Sequence, residues 1–218
     1  MPMISGKIAT IESKTDDITG FNQVSPSGAD LHKYVNIEQE LTLDSGRNVK
    51  QGLAVEEYPH EREKVDINGD IDIGQTEETR RKWTRYWIVG DDYVVVKNSD
   101  GMFAFNLIEQ ALNGDLSEAE FELARIVSDH PGQWMGGFEE RSDNVRNGIL
   151  YGDDIEYDGD IGTAFRNSDK NMIGPDIDYG GQTLRLRMGS NWFQVLKPGD
   201  FTRKEYLNFL DQYLRKYL

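Results

Sequence analysis

Between Tyr34 and Val55 apolar residues return at every second position on both sides of a short turn. No other feature of the chain constrains its fold as much. Val35, Ile37, Leu41 and Leu43 point one way, while Tyr34, Asn36, Glu38, Glu40 and Thr42 point the other. Asp44-Ser-Gly-Arg-Asn48 makes a five-residue loop with a central glycine, after which Val49, Leu53 and Val55 resume the alternation. A period of two turns one face of each strand toward a core, so this segment is expected to be a hairpin with one buried face. Tyr86–Lys97 reads as a second hairpin around Gly90-Asp91-Asp92. Its second arm, Tyr93-Val-Val-Val96, is β-branched and suits a central strand.

Helices announce themselves by their starts. After the turn Asn98-Ser-Asp-Gly101, Phe103–Leu112 reads as a short helix. Ser117-Glu-Ala-Glu120 has the form of a capping box, with Leu116 and Phe121 placed as its hydrophobic staple. Thr202-Arg-Lys-Glu205 repeats the device with Phe201 and Tyr206, and the helix that follows gathers Tyr206, Leu210, Tyr213, Leu214 and Tyr217 on one face. Residues 136–181 are rich in Gly and Asp, so loops and short strands are expected there. An internal echo runs through the chain: a hairpin followed by a helix over 86–112, and again over 183–214. The expectation is one α+β domain over 1–218, an antiparallel, hairpin-rich, twisted sheet with three or four helices packed against it. The helices fall near 103–112, 117–129 and 202–217.

Charge is distributed unevenly. Of the formal net −15, residues 98–169 carry −12, from 16 acidic and 4 basic side chains. Residues 170–218 carry +3, from 5 acidic and 8 basic. The first 97 residues supply the remaining −6. Such asymmetry speaks to partners and habitat rather than to fold. Asp outnumbers Glu by 22 to 17, and no Lys occurs between 98 and 169, a composition like that of proteins adapted to high salt. Aromatic residues at 11% set the chain apart from a disordered polyanion. No apolar run approaches the roughly 20 residues that cross a bilayer, and the start of the chain lacks a signal-peptide pattern. The absence of cysteine removes disulfides, thiolate catalysis and Cys-ligated zinc, and fits a cytoplasmic location.

Few motifs carry chemistry. Asp66-Ile-Asn-Gly-Asp-Ile-Asp-Ile-Gly-Gln-Thr-Glu77 resembles a twelve-residue calcium loop of the EF-hand type. The resemblance places oxygen donors at Asp66, Asn68, Asp70, Asp72 and Glu77 and an apolar Ile73 where one is usual. It departs at Ile71, which stands where the sharp turn needs glycine. Calcium is the one cofactor this implies, against the plainer reading of an acidic loop leading into a helix. The Asp-Ile-Asp phrase recurs within 152–162 and 174–181, where it reads as solvated loop surface. His32, His60 and His130 are isolated from one another, and no nucleophile elbow, phosphate loop or dinucleotide fingerprint is present.

Two basic stretches remain. Arg80-Arg-Lys-Trp-Thr-Arg-Tyr-Trp87 interleaves cations with aromatics. Read as a helix, it is self-neutralised, with Glu77 against Arg81, Glu78 against Lys82, and Trp83 and Trp87 on one buried face. Leu184-Arg-Leu-Arg-Met188 reads as a strand that buries Leu184, Leu186 and Met188 and presents Arg185 and Arg187 outward. Trp192, Lys197, Arg203 and Lys204 follow closely. These six residues are the candidate nucleic-acid-binding set, and the leading expectation is a non-enzymatic binding protein with a basic-aromatic sheet surface for a single strand. An acidic interaction module or nucleic-acid mimic, using the 139–160 carboxylates on a basic protein, is the alternative. A motif-less metal-dependent hydrolase is the third. No membrane partner is expected.

Overall fold

The computed structural model describes residues 5–18, 21–24, 31–67, 71–97, 101–139 and 147–218. With strands numbered along the chain, β1 (Ser5–Ser13) lies near the middle of one large antiparallel sheet. Outward on one side run β6 (Tyr93–Val96), β5 (Ile71–Val89), β4 (Asn48–Ile67), β3 (His32–Thr42) and β2 (Phe21–Val24). On the other side run β13 (Trp192–Lys197), β12 (Gln182–Gly189), β10 (Asp169–Gly174), β8 (Met135–Glu139) and β9 (Gly148–Tyr151). Two short strands, β7 (Asp115–Glu118) and β11 (Asp176–Tyr179), pair with β1 and β12 off this path. Four helices pack on the sheet, as the α+β expectation requires: α1 (Met102–Leu112), α2 (Leu123–Asp129), α3 (Gly159–Arg166) and α4 (Arg203–Gln212).

Alternation divides the sheet into two faces with separate cores. The first face buries Ile8, Trp87, Val95, Leu186 and Phe193 against α2, α4 and the closing 3-10 turn Leu214–Tyr217. There Tyr206 stacks on Phe193 with ring centres 4.1 Å apart, and its hydroxyl donates to the Phe193 carbonyl at 2.9 Å. The second face buries Ala9, Val35, Tyr86, Val94 and Val96 under Phe103, Ala104, Leu107 and Ile108 of α1. All four residues of β6 are buried, as its β-branched composition implies. Beyond β6 the second face carries half-exposed polar and aromatic groups instead: Lys7 on β1, Trp192 and Gln194 on β13, and Arg185 and Arg187 on β12.

The first hairpin forms as its alternation predicts, with Thr42 opposite Asn48. Its apolar residues, however, do not share one face. The register slips between Ile37 and Gln39, so Glu38 is an extra, bulged residue. Val35 and Ile37 therefore join the α1 core, whereas Leu41 and Leu43 join the other. The hairpin–helix echo is also real in space. β5–β6–α1 and β12–β13–α4 stand on either side of β1, with the two helices on opposite faces.

Several expectations are overturned. Ser117 does not cap a helix: it lies in β7, opposite Thr10 of β1, where the Ser117 and Thr10 hydroxyls meet at 2.6 Å. Pairing with β1 seats Leu116 against the α1 core, and the helix begins only at Leu123. The second capping box does form, with the Thr202 hydroxyl accepting from Glu205 N–H and the Glu205 carboxylate from Thr202 N–H. Residues 136–181 contain the expected short strands and also α3, which was not expected. The stretch 77–87 is strand rather than helix, because β4 and β5 continue as one unbroken ladder from Val49↔Val89 to Ile67↔Ile71. Trp87 is consequently buried and Trp83 is 59% exposed, although both lie on the same side of β5.

Candidate nucleic-acid interface

The open part of the second face is built from three strand ladders whose register sets its rows. Arg187, Gln194 and Ser5 stand opposite one another across β12, β13 and β1. One row along, Gly189, Trp192, Lys7 and Val96 do the same across β12, β13, β1 and β6. Gly189 matters because it has no side chain: a Cβ there would come within 2.3 Å of the Trp192 ring nitrogen. The indole thus lies down over β12, and the Arg187 guanidinium sits 5.5 Å from its ring centre. Ser5, Lys7, Lys97, Arg187, Trp192 and Gln194 enclose a depression of about 250 Å³.

Among the described residues no carboxylate lines this depression, and none makes an ion pair with Lys7, Lys97 or Arg187. The Arg187 Nε–H points instead to the Met172 sulfur at 3.2 Å, a weak acceptor. Three cations and an indole with so little compensation can hold an anion and stack a flat ring beside it.

Arg185 has a different fate. Its Nε and Nη2 donate to the two Asp176 oxygens at 2.9 and 2.7 Å, a bidentate pair from the adjoining strand β11. Its guanidinium also lies 5.7 Å from the Trp134 ring, which is folded over Gly174 much as Trp192 is over Gly189. The aromatic-cationic surface therefore runs on from Trp192 to Trp134 and Tyr151, but its charge is neutralised at that end. Lys197 is exposed and lies opposite Arg185, since a bulge at Leu196 turns it to the same face.

Arg203 and Lys204 are not part of this surface. They begin α4 on the opposite face, where Arg203 lies 6.0 Å from the Trp87 ring and Lys204 pairs with Asp44 at 2.8 Å. The open face is thus assembled by Arg187 and Trp192 together with Lys7 and Lys97, two residues that isolated sequence motifs did not single out. Lys7 had a weak signal, sitting in Ser5-Gly-Lys-Ile-Ala at the start of a strand. Lys97 had none.

The segment read as a calcium loop is flanked by strands rather than helices. Asn68 and Asp70 lie outside the described residues, and Asp66 and Asp72 face each other as backbone partners in a two-stranded ladder. Glu77 stands opposite Glu61, five residues along β5 from Asp72, or about 17 Å at strand rise. A helix-flanked loop would fold that glutamate back onto the ion, and an extended strand carries it away. Among the described residues no three His, Asp or Glu side chains are grouped to hold a metal. In the acidic 152–160 stretch, Glu156 is buried as a structural acceptor for the N–H groups of Gly132 and Gln133.

A larger hollow is internally balanced. It lies beside Lys14, Asp17, Lys50 and Asp91, measures about 380 Å³, and has its lysines paired with its aspartates. No helix of the described residues is long and apolar enough to cross a membrane. No family model, curated protein or solved structure matches this chain.

Proposed function

We propose that the protein binds an extended single-stranded nucleic acid on the open face of β12, β13 and β1. The observation that supports this reading most is the Arg187 guanidinium set against the Trp192 indole, in a depression shared with Lys7 and Lys97. One base stacks on the indole while successive phosphates meet Arg187, Lys7 and Lys97. Stacking tolerates any base, so the preference is for single strands rather than for sequence.

Fluorescence anisotropy with a labelled oligothymidylate at low salt tests the proposal. Neutralising about three phosphates gives a slope of roughly −2 when log affinity is plotted against log salt. Lys7→Glu combined with Arg187→Glu should abolish the signal. Arg185→Gln should leave most of it, because that guanidinium is already held by Asp176. No anisotropy change for the wild type at low salt would refute the reading.

A further inference from the structure

β4 and β5 are far longer than their neighbours. β3 stops pairing at Lys33↔Glu56, and from Glu57 to Ile67 the hairpin has no further strand partner among the described residues. Eleven residues at about 3.3 Å each make an arm of roughly 35 Å. The ladder is unbroken, so odd-numbered residues of both strands share one side. Near the end of the arm that side carries Val65, Ile67, Ile71 and Ile73, which are 56, 76, 72 and 64% exposed. Pairing of Val65 with Ile73 and of Ile67 with Ile71 ties the hairpin together, yet it leaves the outer surface of all four bare. A cluster of β-branched side chains held this far from the core marks a contact surface.

What flanks the cluster indicates its partner. Glu61 and Glu77 stand directly opposite each other on the same side, with Glu63 next along the strand. Like charges in register weaken a ladder, and among the described residues no cation on that side pairs with them. The complementary surface is apolar at its centre and cationic at its rim. The depression of Trp192, Lys7, Lys97 and Arg187 has this character. The arm cannot reach the depression of its own chain. Ile71 lies fifteen residues along β5 from Tyr86, about 50 Å away, and Tyr86 shares the row of Val96 and Lys7.

We infer that the arm tip of one molecule docks into the Lys7–Arg187–Trp192 depression of a second copy. Val65 and Ile73, with Ile67 and Ile71 beyond them, cover the indole, while Glu63, two residues or about 7 Å back from Val65 along β4, approaches the three cations. The contact is heterologous, joining two different surfaces, so repetition gives rings, a reciprocal two-membered one included, or filaments. It rests on the same depression as the proposed function, and the two occupants compete.

Sedimentation velocity on the full chain, from about 10 µM to about 1 mM, tests the inference, because small contacts of this kind are weak. The arm variant is Ile67→Ser with Ile71→Ser, and the face variant is Lys7→Gln with Arg187→Gln. Circular dichroism confirms that each is folded. The wild type should grow in mean mass with concentration, and each variant alone should remain monomeric. An equal mixture of the two variants should form a species of about twice the monomer mass, because one supplies an intact arm and the other an intact face. A wild type that stays monomeric throughout overturns the inference. So does a wild type that associates while the mixture does not, since that is the behaviour of an arm-to-arm contact. The arm variant keeps the whole basic face, so its oligonucleotide binding tests the proposed function independently of the outcome here.

Discussion

The buried Asp211 carboxylate accepts hydrogen bonds from the Tyr93 hydroxyl at 3.2 Å and the Ser45 hydroxyl at 2.5 Å, and lies 3.4 Å from Arg47 Nε. It ties α4 to the turn of the first hairpin and to β6. Asp211→Ala leaves those donors without an acceptor, and the expected cost is about 3 kcal/mol, read as a lower urea midpoint. Burial pushes the Tyr93 hydroxyl well above the ordinary tyrosine range, and the neighbouring Asp211 adds to the effect. Burial likewise raises Tyr86, Tyr206 and Tyr217. These groups stay protonated in the fold while the unfolded chain ionises near pH 10, so their contribution is intact below that pH. It is lost as pH climbs toward the folded values. Stability should therefore fall steeply above about pH 10, and a urea midpoint unchanged at pH 11 would contradict the burial of these rings. At the open face, Gly189→Ala should lift the Trp192 indole off β12. The expected signature is a changed tryptophan emission with weakened oligonucleotide binding.

Elements differ in how much each contributes to the body of the molecule. The capping box at Thr202 satisfies two backbone donors, so Thr202→Ala should cost about 1 kcal/mol, measurable by thermal unfolding. The arm is the opposite case. Its outer residues are mostly exposed and contribute to neither core, and an isolated two-stranded ribbon is marginally stable by itself. Replacing residues 60–78 by an Asn-Gly turn should leave the melting temperature within a few degrees of the wild type. A large loss would show that the arm supports the sheet rather than extends from it.

For the whole molecule the governing quantity is the net charge of −15. Self-repulsion among surface carboxylates opposes the compact state, and added salt screens it over a Debye length of about 10 Å at 0.1 M. The melting temperature should rise between low and molar KCl. A flat or falling curve would separate the acidic composition from salt adaptation. The same field repels any polyanion at long range, so the binding proposed for the open face relies on contacts at close quarters. That is where Lys7, Lys97 and Arg187 stand without a neighbouring carboxylate among the described residues.

Sequence by itself determined the local elements whose signals are local. The hairpins over 34–55 and 86–97, the β-branched run of β6 and the capping box at Thr202 all appear where they were expected. Each is set by steric preference or by a hydrogen bond a few residues away. Ser117 shows where that reasoning stops: a capping sequence lost to a ladder with β1, because long-range pairing stabilises more than one cap does. The segment 71–87 departs from its reading for a related reason. Its acidic and basic runs look self-sufficient as loop and helix, and only β4 lying alongside makes them a strand. The candidate face divides in the same way. Arg187 and Trp192 are legible from alternation in one hairpin, whereas Lys7 and Lys97 join them only through the pairing of β13, β1 and β6. Tertiary structure also decided which cations are available. Arg185 and Arg187 look equivalent in the chain, and a bidentate Asp176 from the adjoining strand removes one of them. Charge compensation depends on distance in space, which the spacing of residues along a strand does not carry.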